Sequence, residues 1–200
     1  SDPTLTQQDL REQGFLSRDY PPMPDTPIPS RDEDTFFGYT VGQLKEAIKG
    51  VEIKGFEKDP YIITGAARGK DKSSAFGPMQ VTYSTLEDFQ KRSPEYKLLD
   101  NEKKAYVNDL IQQGRDVVNY QKFGAIYRNG KRQKVSKQQA KNLKAYGSGT
   151  IDRARHEEHY DVVADMVLRL KLSDHENIKD ALASYGEGQA YAKKVLKGLE

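Results

Sequence analysis

Residues 40–52 read Thr-Val-Gly-Gln-Leu-Lys-Glu-Ala-Ile-Lys-Gly-Val-Glu, and this stretch indicates the fold class. Its first four residues form a capping-box pattern, with a hydroxyl at the N-cap and an amide three residues later. Apolar side chains then recur at positions 44, 47, 48 and 51, which is one face of an amphipathic helix. The stretch therefore predicts a helix that begins after Thr40 and ends near Gly55.

Similar helix signals recur along the chain, whereas strand signals are few. Capping patterns open three further stretches of helix-forming residues, at Ser84–Glu87, Ser136–Gln139 and Ser173–Glu176. The most regular apolar stripe predicts a helix over residues 153–171 and includes Tyr160. An Asn-Gly pair predicts a small hairpin over residues 125–131, and residues 61–64 predict a short strand. We expect a mainly α domain with a minor β-hairpin.

The composition excludes several classes of function. The chain has 200 residues, enough for one domain with a tail, and no cysteine, which excludes disulfide scaffolds, thiolate nucleophiles and cysteine zinc sites. Its 32 basic and 30 acidic residues leave a net charge of +2, which argues against a simple polycation. No apolar run is long enough to span a membrane, and the first residues lack the pattern of a signal peptide.

The N-terminal region differs in composition from the rest. Six of the nine prolines lie within residues 1–29, where they remove backbone donors and keep the chain extended. We predict a proline-rich extended arm or linker over residues 1–35 and one domain over residues 36–200. A plain disordered terminus is the alternative.

The histidines suggest a metal site only weakly. His156 and His159 are three residues apart, so the pattern is not the H-E-x-x-H zinc motif, and a third ligand would have to come from elsewhere. A solvated first turn of the helix is the simpler interpretation. No phosphate-binding loop and no nucleophile elbow occur in the sequence. We therefore do not expect a nucleophilic triad or kinase-type chemistry.

One carboxylate stands out by its position. Glu52 lies near the C-terminal end of the predicted helix, where unpaired carbonyls disfavour an ionised carboxylate. An apolar wall beside it would raise its pKa further by desolvation. A glutamate with a raised pKa is suited to act as a general acid at neutral pH. Taken alone, a solvated glutamate on a helix is the commoner case.

Two later segments give Glu52 a context. Residues 73–82 read Ser-Ser-Ala-Phe-Gly-Pro-Met-Gln-Val-Thr, and residues 183–189 read Ala-Ser-Tyr-Gly-Glu-Gly-Gln, followed by Tyr191. In this order, the three pieces resemble the lytic transglycosylase family with the goose-type lysozyme-like fold. The second segment is most similar to phage-encoded peptidoglycan-degrading enzymes.

The resemblance implies a fold, an activity and a set of residues. It implies a lysozyme-like helical domain in which Glu52 is the catalytic acid/base and no metal or cofactor is needed. Gly77, Met79 and Gln80 would line a sugar-binding groove, and Tyr185 would orient the glutamate. The full set of implied substrate-binding residues is Ser74, Phe76, Gly77, Met79, Gln80, Tyr185 and Tyr191. The alternative is that Phe76, Met79 and Tyr185 are ordinary core residues.

The implied reaction cleaves the β-1,4 bond between N-acetylmuramic acid and N-acetylglucosamine in peptidoglycan strands. Most glycosidases that hydrolyse this kind of bond use two carboxylates. Asp59 and Asp71 are possible partners, but neither is a convincing one. A lytic transglycosylase that forms a 1,6-anhydro product is therefore expected, with hydrolysis by the same fold as the alternative.

A basic stretch keeps a different class of function open. Residues 121–155 contain ten lysines and arginines and a single acid, Asp152. Such a stretch could contact the phosphates of nucleic acid or the carboxylates of peptidoglycan, but a solvated helix face is the simpler interpretation, and nucleic acid is not an expected partner. A non-catalytic virion domain that binds glycan or nucleic acid is the remaining alternative. The expected location is the virion, acting on the periplasm or cell wall, with other virion proteins as further candidate partners.

Overall fold

The computed structural model describes residues 32–54, 60–61, 75–145, 151–186 and 188–200. Within these ranges the protein is mainly helical, as predicted. The helices are α1 (Val41–Glu52), α2 (Tyr83–Arg92), α3 (Pro94–Lys97), α4 (Asn101–Phe123), α5 (Lys137–Ala145), α6 (Arg153–Ser173), α7 (Ile178–Tyr185) and α8 (Gln189–Lys197). The strands form three antiparallel pairs: β1 (Thr35–Phe36) with β2 (Tyr39–Thr40), β3 (Ala75–Phe76) with β4 (Val81–Thr82), and β5 (Ile126–Arg128) with β6 (Lys131–Gln133).

Two of the four predicted capping boxes are present. At the start of α1, the Gln43 amide donates to the Thr40 hydroxyl oxygen at 3.1 Å, and the Thr40 amide donates to the Gln43 side-chain oxygen at 2.9 Å. Ser136 and Gln139 make the same reciprocal pair at the start of α5. Each pair satisfies backbone donors that the first turn of a helix leaves free.

The other two predicted starts are wrong. Helix α2 begins two residues earlier than predicted, because the Thr82 hydroxyl accepts the Thr85 amide. Ser173 ends α6 and caps no new helix, since its hydroxyl donates back to the Arg169 carbonyl at 2.8 Å. Helix α7 is instead capped by Asn177.

Helix α6 is the centre of the main core. It contacts α1, α2, α4 and α7, and it is buried on most of its circumference, including at Tyr160 and Leu168. A helix covered on several sides has no solvated face along its middle turns. The predicted helix over residues 153–171 is thus confirmed and extends two residues further.

A second, smaller core lies at the far end of α4. Val117, Ile126 and Leu143 pack together there, and Tyr120 and Val135 cover them. The β5–β6 hairpin turns at Asn129 and Gly130, both with positive φ, which is the geometry of the predicted Asn-Gly turn. The side chains of this small core come from α4, α5 and the hairpin.

The last residues of the predicted N-terminal arm are bound to the helical domain. The carbonyls of Asp32 and Asp34 accept the amides of Gly42 and Val41 at 2.9 and 2.8 Å. Residues 1–31 and the predicted strand residues 62–64 lie outside the described residues. The boundary at residue 35 stays a prediction, but residues 32–35 already contact the start of α1.

A buried ammonium group joins this segment to α1 and α6. The side chain of Lys45 is about 5% exposed and lies 2.9 Å from Asp32, 3.1 Å from Asp161 and 3.2 Å from Asp165. Burial acts to lower the pKa of Lys45, but the three carboxylates outweigh it, and the pKa is raised. Arg169 continues the network by pairing with Asp165 and Asp34. The network fixes α1 on α6.

Replacing Lys45 by methionine should destabilise the fold by roughly 2–3 kcal/mol, since it leaves Asp165 without one of its two cations. Chemical denaturation at pH 7 measures this. The pKa of Asp161 is lowered from 3.8, although burial, the largest influence, acts to raise it, because the nearby lysines outweigh burial. Its contribution to stability is present above pH 3.8 and is lost as the pH falls through the lower folded value. The difference in unfolding free energy between wild type and Lys45→Met should therefore become smaller as the pH falls below 3.8.

The matched control is Lys49→Met, which removes a more exposed pair with Asp161. We expect a loss below about 1 kcal/mol, as for other exposed ion pairs. Equal losses for the two variants would contradict the network as described.

Candidate functional site

Glu52 is the last residue of α1 and is half-buried. The capping box fixes the start of this helix and Lys45 fixes its middle, so both determine where the glutamate lies. Helix α1 also packs against α8, whose first turn carries Tyr191. The predicted helix is confirmed, and it ends three residues before Gly55, with Ile53 as its C-cap.

Three tyrosines surround the Glu52 carboxylate. They are Tyr160 in the middle of α6, Tyr185 at the end of α7 and Tyr191 on α8. Burial raises the pKa of each phenol, and the negative charge of Glu52 raises it further. The glutamate therefore meets un-ionised hydroxyl groups that contribute no charge of their own.

Tyr191 is the tyrosine most directly opposed to Glu52. Its hydroxyl is buried and makes no hydrogen bond of standard geometry. Burial is the largest influence that raises the pKa of Tyr191, and the nearby Glu52 carboxylate raises it further. Its ring stacks on Tyr185, with centroids 6.4 Å apart.

Gly186 makes room for this ring. A Cβ built at Gly186 would lie 2.1 Å from a ring carbon of Tyr191, which no side chain can tolerate. The backbone at residue 186 and the ring of Tyr191 are therefore in direct contact. This explains in steric terms why glycine stands in the third segment at this position.

The second segment is a hairpin whose tight turn is fixed by two of the tyrosines. The Tyr160 hydroxyl donates to the Phe76 carbonyl and accepts the Met79 amide at 3.1 Å. The Tyr185 hydroxyl donates to the Met79 carbonyl at 2.6 Å. The turn between β3 and β4 is thus attached to α6 on one side and to α7 on the other.

The backbone of this turn requires the residues that the sequence supplies. Gly77 has a φ of +68° and lies against the Tyr160 ring, so that an added Cβ would be 2.4 Å from a ring carbon. Gln80 also has a positive φ, of 48°, and its side-chain amide donates to the Gly77 carbonyl at 2.9 Å. That hydrogen bond helps to hold a conformation that side chains rarely adopt.

The structure brings most of the predicted site residues into one cluster. Glu52, Tyr185 and Tyr191 are adjacent, and the turn with Gly77 and Gln80 joins them through Tyr185. Phe76 and Met79 are 1% and 0% exposed, so their side chains belong to the core. Among the described residues of this segment, any contribution to ligand binding then falls mainly on half-buried Gln80. Ser74, Asp59 and Asp71 lie outside the described residues.

Tyr160 was missed as a site residue by sequence reasoning. It belongs to the apolar stripe of α6, which predicts a core position, and its side chain is indeed buried in the core. The signal that could have identified it is chemical, since a buried tyrosine requires a partner for its hydroxyl. In a helix without free backbone groups at that turn, the partner has to come from another element.

The histidines do not form the two-histidine metal site that was considered. The His156 ring nitrogen Nδ1 and the Tyr106 hydroxyl are 2.8 Å apart, and Tyr61 stacks on the same ring. His159 instead lies near Glu102 and Glu158, with donor atoms all within 4.8 Å of one another. These three residues could contact a cation, but exposed carboxylates often gather without one.

Asp161, the neighbour of Tyr160 on α6, is already paired with cations. Lys45 and Lys49 contact its two oxygens at 3.1 and 3.3 Å. Glu52 lies close to phenol hydroxyl groups, whose pKa values its charge raises. A carboxyl group in such surroundings can both donate and accept a proton.

Comparison with protein-family models, with curated proteins and with solved structures finds no match to this chain. No helix in the described ranges is both long enough and apolar enough to cross a membrane. The site consists of one half-buried glutamate, three phenol hydroxyl groups and a hairpin turn in which Gly77 and Gln80 have positive φ.

Gly77→Ala should destabilise the protein by about 2 kcal/mol or more, since it adds backbone strain to a clash with the Tyr160 ring. Gly50→Ala is the control, because it lies in α1 with open space around its Cβ, and it should stabilise by about 0.5–1 kcal/mol. Thermal or chemical unfolding measures both. A neutral Gly77→Ala would show that the turn does not contact Tyr160 as described.

Tyr185→Phe and Tyr191→Phe should differ in their effect on stability. The first leaves the Met79 carbonyl without its partner and should cost about 1–2 kcal/mol of unfolding free energy. The second removes a hydroxyl that has no standard hydrogen bond, and should cost little or nothing. If Tyr191→Phe were the more damaging of the two, the contact with Glu52 would be a full hydrogen bond.

Proposed function

We propose that this protein degrades peptidoglycan, cleaving the β-1,4 bond between N-acetylmuramic acid and N-acetylglucosamine as a lytic transglycosylase with a lysozyme-like fold. The observation that carries the proposal is the convergence of the three family-like segments. Glu52 from the first contacts Tyr191 from the third, and Tyr185 from the third binds the turn of the second. The first and third segments, which are more than 100 residues apart in sequence, thus meet at Glu52, and the third segment also binds the second.

Glu52 would perform both proton transfers. Protonated Glu52 gives its proton to the glycosidic oxygen as the bond from that oxygen to C1 of N-acetylmuramic acid breaks. The resulting carboxylate takes the proton of the C6 hydroxyl while O6 bonds to C1, which closes a 1,6-anhydro ring. One group serves as acid and then as base. The intramolecular attack requires no bound water.

The surroundings of Glu52 support this single-carboxylate mechanism. Hydrolytic glycosidases usually place a second carboxylate across the sugar. Asp161 is bound by two lysines, so it is a poor base. Tyr191 instead offers a buried hydroxyl, which can donate to Glu52 when the glutamate is ionised and so orient it between the two steps.

The turn at residues 77–80 would bind the sugar. Because residues 76–79 are buried and the backbone groups of Phe76, Gly77 and Met79 already have partners, recognition falls on the polar groups of half-buried Gln80. The two tyrosine anchors hold these groups in place before substrate arrives. Preorganised polar groups of this kind orient a ligand at low entropic cost.

The proposed setting is the bacterial cell wall, with the protein carried by a virion. The similarity of residues 73–82 to phage-encoded wall-degrading enzymes supports this setting. Peptidoglycan strands are the proposed substrate, and other virion proteins are the proposed assembly partners.

Glu52→Gln tests the mechanism directly. The amide keeps the size of the side chain but cannot transfer the proton, so digestion of purified peptidoglycan should fall by about 10²–10⁴-fold. Unfolding free energy should change little. Glu46→Gln is the matched control on the same helix, since its side chain is exposed and pairs only loosely with Lys49 at 3.5 Å. Full activity in Glu52→Gln would refute the assignment.

Mass spectrometry of the released fragments separates the possible outcomes. Products with 1,6-anhydro ends are expected, whereas reducing ends would indicate a hydrolytic lysozyme on the same site. An inactive wild type that still binds peptidoglycan would indicate a non-catalytic wall-binding domain.

A further inference from the structure

The end of α4 carries a separate basic lobe. We use this name for residues 120–145, which comprise the last turn of α4, the β5–β6 hairpin and α5. The lobe has its own small hydrophobic core, and Arg128 makes a bidentate ion pair with fully buried Asp116, at 2.7 and 2.9 Å, that fixes the hairpin to α4. The surface of the lobe is therefore held in shape.

The cations on this surface have no acidic partners among the described residues. They are exposed and come from all parts of the lobe: Lys122, Lys131, Arg132, Lys134, Lys137 and Lys141. The buried cations Lys45 and Arg169, by contrast, are each paired with acids. The sequence between Asp116 and Asp152 contains no acid at all. A cluster of unpaired cations attracts a polyanion.

An exposed aromatic ring lies within this cationic surface. Phe123 is 58% exposed, and its ring meets the edge of Tyr127 at a centroid distance of 6.3 Å. A shallow pocket opens nearby, lined by Tyr120, Gly124, Arg132, Gln133, Lys134 and Val135. The surface thus offers flat apolar faces as well as charges.

We infer that the basic lobe binds the substrate polymer at a second place, contacting stem-peptide carboxylates through its cations and a sugar face through Phe123. This inference rests on the proposed function. A peptidoglycan strand presents sugar rings and projecting carboxylates together, which matches cations spread over three elements around an aromatic ring. Helix α4 runs from the core to the lobe, and Phe123 lies about 25 Å along the helix from Tyr106. A long polymer can therefore reach both regions.

Sedimentation with insoluble peptidoglycan tests the inference. The full chain carries Glu52→Gln so that the polymer stays intact. Adding Lys131→Glu, Arg132→Glu and Lys134→Glu should weaken binding by at least about tenfold, since three attractive contacts become repulsive. The matched control replaces three exposed lysines outside the lobe by glutamate, namely Lys97, Lys179 and Lys197. It should bind within about twofold of the Glu52→Gln protein. Equal binding by the two triple variants would overturn the inference.

Two further measurements identify the chemistry of the partner. The first uses peptidoglycan whose carboxylates have been converted to methylamides. The Glu52→Gln protein should bind this polymer as weakly as the triple variant of the lobe binds native peptidoglycan. Phe123→Ala should weaken binding to native and to amidated polymer alike. Tighter binding to single-stranded DNA than to peptidoglycan at the same salt, lost in the lobe variant, would make nucleic acid the partner and refute the inference.

The failure of this inference can be told apart from failure of the proposed function. If wild type digests peptidoglycan but binding does not depend on the lobe, only the inference fails. If wild type digests nothing, the proposed activity fails, and sedimentation still reports whether the lobe binds the polymer. Thermal unfolding of both triple variants verifies that the lobe remains folded.

Discussion

The hydroxyl of Tyr160 is the contact on which the candidate site depends. A phenol in the middle of the most buried helix has no free backbone group on its own helix, so it requires partners from elsewhere. It finds them in the turn of the second segment, where it bonds Phe76 and Met79. That turn can approach so closely only because residue 77 has no side chain. The hairpin, the central helix and the region around Glu52 are thereby one packed unit.

The ion pairs of Lys45 and Arg169 are the second constraint on the site. Lys45 pairs with three carboxylates, and Arg169 shares one of them, Asp165, and adds Asp34. Asp32, Asp34, Asp161 and Asp165 are all paired with these two cations. Glu52 lies at the end of α1, outside the network, among phenols.

Much of this arrangement could be predicted from the sequence, and the reasons are physical. The helix after Thr40 and the Asn-Gly hairpin depend on short-range hydrogen bonds and backbone preferences that a few residues encode. The capping pattern at Ser173 failed because the apolar stripe of α6 continues to Leu172, and packing outweighs a local pattern. The roles of Tyr160 and Lys45 could not be predicted, since each depends on partners more than 80 residues away.

The division into two hydrophobic cores has a consequence for how the molecule opens. The small core is connected mainly to α4, so losing it exposes few side chains of the main core. Its amides should exchange with solvent through a local opening that leaves α6 intact. A change at Ile126 or Leu143 would then loosen the lobe while the surroundings of Glu52 remain folded. Substitutions in the basic lobe can therefore accumulate without disturbing the packing around Glu52.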